Sequence, residues 1–285
     1  MSDDTAPSAL TRLVPPLTII ALLVMIAAAI YHVVTLGSQP TPAFSRADAP
    51  SQPDYSKTQA WYVRPEAETD GGWKSPWGVD LLWLNDARNG YAGGWNAPAD
   101  WLPSHIALEK DLNWIQSLEA GIGFYAPARR LAARLNGSDV DVESARKLET
   151  EDVLSALDHY VENDHKQRGF FLGGRGAGAE FADVIYSQRL KGTQPFDVLF
   201  GGIAVVNKSD LPKGSNLATL PLCGTGKFPC LLDLHGLNDE KKAELLNTTL
   251  KSFGTWLDEN AAKPAEPLPP IEVIKIAPIN KPQHD

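Results

Sequence analysis

Residues 170–190, FFLGGRGAGAEFADVIYSQRL, join an apolar run, a glycine-crowded turn and a helical period within one short segment. Phe170, Phe171 and Leu172 make the uninterrupted apolar run expected of a parallel strand covered on both faces. Ala177, Phe181, Val184, Ile185 and Tyr186 then recur at helical spacing, and Gly192 stands where a helix-terminating glycine is expected. Strand, sharp turn and helix are therefore predicted, with Gly174, Arg175, Gly176, Ala177 and Gly178 forming the turn.

The neighbouring segments extend that pattern. Upstream, Val153, Ala156, Leu157, Tyr160 and Val161 share one apolar face of a helix predicted over residues 150–164, with Thr150 as its N-cap. Downstream, residues 197–206 (DVLFGGIAVV) and 231–235 read as buried strands, and a helix is expected near residues 239–259. Residues 79–84 (VDLLWL) and 121–125 are further strands, residues 85–94 a loop, and residues 129–135 look helical. Strands alternating with helices predict an α/β domain with a mostly parallel sheet covered by helices on both faces.

Composition narrows the function classes. A chain of 285 residues accommodates one sizeable α/β domain, and a formal net charge of -9 without a basic stripe argues against nucleic acid as a partner. The two cysteines, Cys223 and Cys230, exclude a cysteine-rich zinc module and a disulfide-dense mini-domain. They read either as half of a metal site with His235 as third ligand or, as favoured for an exported domain, as a disulfide closing a small loop. No metal or cofactor is expected. Of the eight tryptophans, those at positions 61, 73, 77, 83, 95, 101 and 114 cluster in the first half of the chain. Packing of loops onto the sheet accounts for them better than carbohydrate stacking, because indole rings bury large areas.

The ends of the chain read differently from its middle. Residues 14–36 carry no formally charged side chain, with Pro15 and Pro16 at the start, where a helix tolerates proline. About 20 apolar residues cross a bilayer, so a single transmembrane anchor is expected, in preference to a cleaved signal peptide. Arg12 places the short segment 1–13 in the cytoplasm and the main domain outside it, in the periplasm of a cell bounded by an inner membrane. Residues 37–57, rich in Pro, Ser and Ala, are expected to be a tether to a domain spanning 58–260. Residues 261–285 form a proline-rich tail whose alternating segment, residues 271–276, either pairs with a sheet edge or is solvated.

Several short motifs then fall in a shared order. These are Tyr55-Ser56 with Trp61 and Pro65, Val79-Asp80-Leu81-Leu82-Trp83, Trp95-Asn96-Ala97-Pro98, Tyr125-Ala126-Pro127, and Leu220-Pro221-Leu222-Cys223 with Cys230. In that order the chain resembles a bacterial α/β-hydrolase-like, lysophospholipase-like domain-of-unknown-function family over roughly residues 55–237. The resemblance implies an α/β-hydrolase fold with a nucleophile elbow reading G-H-S-Q-G on a sharp strand-to-helix turn. Here Arg175, Gly176 and Ala177 replace the His, Ser and Gln. The oxyanion segment, His-Pro-Thr-Thr in the family, reads Asn85-Asp86-Ala87-Arg88. No late triad histidine follows the last helix, and Asp233 with His235 are the remaining vestigial candidates. A base without a nucleophile performs no acyl transfer.

The expectation is a membrane-anchored, catalytically degenerate pseudo-hydrolase serving as a binding or scaffolding module with a protein partner in the cell envelope. An active serine esterase or lysophospholipase with an unrecognised nucleophile is the alternative. A minor one takes Gly174-x-Gly176-x-x-Ala179 as a dinucleotide fingerprint at a helix N-terminus. Against it, over a hundred residues of the domain precede the motif, and Asp197 opens the following strand instead of closing it.

Overall fold

The computed structural model describes residues 21–31, 42–65, 77–86, 91–115, 122–133, 137–165, 167–193 and 196–261. The chain divides into two units, Met1–Ala43 and Phe44–Asp285. In the first, residues 21–31 are helical with Leu22, Leu23, Val24, Met25, Ile26 and Ile30 exposed. Among the described residues no helix is long and apolar enough to cross a membrane, and the rest of the expected anchor, residues 14–36, lies outside them. The tail 262–285 and Trp73 also lie outside them.

The second unit is built on a six-stranded sheet. Its strands are β1 (Trp61–Val63), β2 (Val79–Leu84), β4 (Ile122–Pro127), β6 (Gly169–Gly174), β7 (Phe200–Val205) and β8 (Cys230–Asp233). They lie in the order β1-β4-β2-β6-β7-β8, all parallel except β1, which pairs antiparallel with β4. A two-stranded ribbon joins β3 (Asn96–Ala97) to β5 (Leu131–Ala132). The sheet is α/β and mostly parallel, as the sequence pattern predicts.

Central strands β2 and β6 are buried at every position because helices cover both faces. Successive residues of a strand point to opposite faces. Phe171 accordingly packs on Phe253 (5.5 Å between ring centroids) of the helix Asp239–Asn260, while Phe170 packs on Tyr160 (6.1 Å), just beyond the helix Asp139–His159. Trp83 meets Trp114 of the helix Leu102–Ile115 edge to face at 5.4 Å. Each such fully buried aromatic or aliphatic side chain contributes about 1.5–3 kcal/mol.

Local expectations shift in several places. The helix expected to begin at Thr150 begins at Asp139, capped by Ser138, whose side chain accepts from Asp141 N–H. Thr150 lies mid-helix, where its hydroxyl donates to Arg146 O (3.0 Å) instead of capping a helix end. Residues 129–135 are not helical where described, for Leu131–Ala132 are drawn into the ribbon with β3. Phe196–Leu199 is a helical turn, so β7 starts at Phe200 and not at Asp197. The Leu102 helix stands where only packed loops were anticipated, and it carries Trp114.

The tether is shorter than expected. Residues 44–57 already lie on the second unit: Phe44 N–H donates to Asp141 Oδ1 (2.8 Å), Phe44 packs against Trp95 (6.5 Å), and Arg46 pairs with Glu151 (2.7 Å). Tyr55 is buried, with its hydroxyl on Ala128 O (2.7 Å). A Pro- and Ser-rich composition looks like linker, yet scattered aromatic and charged anchors hold it down.

Candidate functional site

The chain runs from β2 to β4 on one side and then to β6 on the other, so the connections diverge between β2 and β6. In open α/β sheets the crevice at the carboxyl ends of two such strands is the usual ligand site. Asn85-Asp86 follow β2 there, and Arg175-Gly176 follow β6.

Gly176 begins the helix Ala177–Ile185 with φ 52° and ψ -123°, outside the regions open to L-residues at low cost. Two carboxylates occupy its surroundings. Gly176 N–H donates to Asp210 Oδ2 (2.8 Å), and a Cβ at position 176 would lie 2.0 Å from Asp86 Oδ2. At Gly178 a Cβ would meet Leu84 O at 1.8 Å, so this glycine lets the helix press against the end of β2. The frame of small residues thus follows from close helix–sheet approach and from a backbone conformation that excludes a side chain.

Arg175 turns toward the Leu102 helix. Its guanidinium lies 2.6 Å from Asp111 Oδ1, and Asp111 Oδ2 accepts from Trp83 Nε1 (3.0 Å). Asp111 is only 1 % exposed, and burial pushes its carboxyl above the ordinary value while the Arg175 charge opposes that rise.

The segment expected to supply oxyanion donors is committed elsewhere. Asn85 is buried, donates through Nδ2 to Ser104 O (2.8 Å) and accepts at Oδ1 from Arg129 Nη1 (2.9 Å). Arg129 also bonds the Asn85 carbonyl, and through Nε it reaches Glu149 Oε1 (2.9 Å). Glu149 Oε2 accepts from Ala132 N–H (3.0 Å). Beside it Arg130 pairs with Asp152, Nη2 to Oδ1 at 2.6 Å, and burial raises the Asp152 carboxyl against that pairing. Two consecutive arginines after β4 are thus neutralised by two carboxylates three residues apart on the Asp139 helix. Asp86, the next residue of that segment, brings a carboxylate up to Gly176.

Asp233 ends β8, and its Oδ1 accepts the backbone N–H of His235 (3.1 Å), whose imidazole is exposed. The carboxylate caps a turn, and in that contact it does not orient the ring. As a fingerprint, Gly174-x-Gly176-x-x-Ala179 sits at a helix N-terminus, but the first amide there is taken by Asp210, and Asp86 adds a second negative group that opposes phosphate. Cys223 and Cys230 form a disulfide (S–S 2.07 Å), and among the described residues no group of three or more His, Cys, Asp or Glu could hold a metal ion.

Sequence reasoning missed Asp111, Arg129, Arg130, Glu149, Asp152 and Asp210. A usable signal existed for one pair: Glu149 and Asp152 fall on the helix face that also buries Ala145, Leu148, Val153 and Ala156, and acids on a core face require cations. A scan against protein-family models finds none that matches this chain, and a search of curated proteins finds none similar.

Proposed function

We propose that this chain is a membrane-anchored, catalytically degenerate α/β-hydrolase-like module that acts in the cell envelope by binding or scaffolding, with the domain on the extracytoplasmic side. The strand order, with one antiparallel strand at the edge and a sharp turn after the central β6, agrees with the fold implied by the motif order. The observation that carries the reading is the position of Asp86 Oδ2, 2.0 Å from where the Cβ of any nucleophile at residue 176 would stand. Acyl transfer needs donors aimed at a developing oxyanion. Here Asp86 and Asp210 put negative charge in that place. The anchor rests on the uncharged run over residues 14–36 and on the exposed apolar side chains of residues 21–31.

The test is activity-based labelling of the purified protein with a fluorophosphonate, alongside hydrolysis of short- and long-chain esters. Neither labelling nor turnover above a heat-denatured control is expected. Stoichiometric labelling of a serine would overturn the reading and establish the active esterase instead.

A further inference from the structure

β8 is the last strand of the sheet, and one short segment closes its outer edge among the described residues. Leu231 N–H donates to Pro221 O (2.8 Å), and Leu231 O accepts from Cys223 N–H (3.0 Å), a single parallel bridge between Leu222 and Leu231. On the inner side, Leu234 N–H donates to Val205 O of β7 (2.9 Å).

Two hydrogen bonds hold this cover weakly. Its Pro221 and Leu222 side chains are exposed, Leu222 by 57 %, so little apolar burial adds to the grip. What ties it down is the Cys223–Cys230 disulfide, which joins the covering segment to the edge strand itself. The segment has firm anchors on both sides. Leu217 is fully buried before it, and after it Phe228 packs on Phe253 (4.9 Å) and Trp256 (5.7 Å). Between them Gly224 and Gly226 are exposed, with open space where a Cβ would stand, so residues 221–227 can swing with only the half-buried Cys223 leaving its place against the core.

We infer that the disulfide is a redox-sensitive latch on the sheet edge: oxidised, it keeps Pro221–Cys223 over β8; reduced, it releases them and opens the edge. A dithiol reductant supplies the chemistry. Its thiolate attacks Sγ of Cys223, the less buried of the pair, and Cys230 leaves as a thiolate that takes up a proton. The second thiol of the reductant then resolves the mixed disulfide. Two electrons pass to the protein, which ends with two thiols while the reductant ends as a disulfide. The opened edge leaves Leu231 N–H and C=O unpaired, the arrangement that folded sheets otherwise keep covered.

Residue-resolved hydrogen exchange on the full chain in detergent, before and after dithiothreitol without denaturant, tests this. Alkylation and mass measurement report the thiols. Exchange at the Leu231 and Cys223 amides is expected to accelerate at least tenfold on reduction, while the Leu234 amide, bonded to β7, keeps its rate. Cys223→Ser should exchange like the reduced protein at Leu231. A disulfide that dithiothreitol leaves intact in the folded protein, or unchanged Leu231 protection after complete reduction, would overturn the latch. So would equal acceleration at Leu231 and Leu234, which would report loss of the strand as a whole.

Discussion

The carboxylate of Asp86 fills the space that a side chain at Gly176 would need, with Oδ2 2.0 Å from the ideal Cβ position. Gly176→Ser must therefore adopt φ near 52° with a β-carbon and displace Asp86. Strained backbone together with overpacking costs roughly 2–4 kcal/mol. Urea unfolding should show that loss, and esterase assays should show no activity. Adding Asp86→Ala should recover about 1–2 kcal/mol through relief of the contact. Hydrolysis gained by Gly176→Ser alone would mean that base and oxyanion donors survive, which the committed Asn85 amide argues against.

Arg129 is wholly buried between Asn85 and Glu149. Arg129→Met strands the Glu149 charge in the core and should destabilise by about 3–5 kcal/mol. The double replacement Arg129→Met with Glu149→Gln should be markedly milder, because no uncompensated charge remains. Equal losses in single and double variants, read from urea midpoints at constant m-value, would contradict the coupling.

His165 packs against Tyr160, Phe170 and Phe196, and burial lowers its imidazole from 6.5 to about 4. The nearby Arg168 charge adds to that depression. Above pH 6.5 the ring is neutral in both folded and unfolded chains. As pH falls from 6.5 to about 4 the unfolded chain takes the proton first, so stability declines across that window and levels off below it. The full effect is on the order of 3 kcal/mol. His165→Phe should flatten this part of the stability profile, and an unchanged slope would remove His165 as its cause.

Replacing both Cys223 and Cys230 by Ser opens a short loop, the two positions being 7 apart in sequence. The loss should be about 2–3 kcal/mol, mainly through the freer unfolded chain. Thermal unfolding of the oxidised wild type against the double variant measures it, and a difference below about 0.5 kcal/mol would show that the bridge constrains little.

The full chain should pellet with membranes and resist alkaline carbonate, whereas removal of residues 1–43 should release a folded domain beginning at Phe44. Alkaline phosphatase fused after Asp285 should be active. A soluble full-length protein, or an inactive fusion beside an active cytoplasmic reporter, would remove the anchor from the proposed function.

Hydrophobic periodicity by itself determined the strand, turn and helix around Gly176, the parallel character of the sheet and the helix from Asp239, because those preferences are set by neighbours a few residues apart. The cysteine pair was legible as a disulfide only together with the expected export, since its spacing also suited half of a metal site; the structure joins the two sulfurs. The strand Leu131–Ala132, by contrast, formed only because Asn96–Ala97 was placed beside it, and the order β4-β2-β6 lay in no local pattern. The character of the site was decided at the same level. Asp210 reaches Gly176 across 34 residues and Arg129 reaches Asn85 across 44. Such polar partnerships depend on which loops the sheet brings to one edge, and on burial that forces each charge to find a partner. A sequence can announce an aspartate after a strand, but only the folded sheet sets its carboxylate where a side chain at Gly176 would stand.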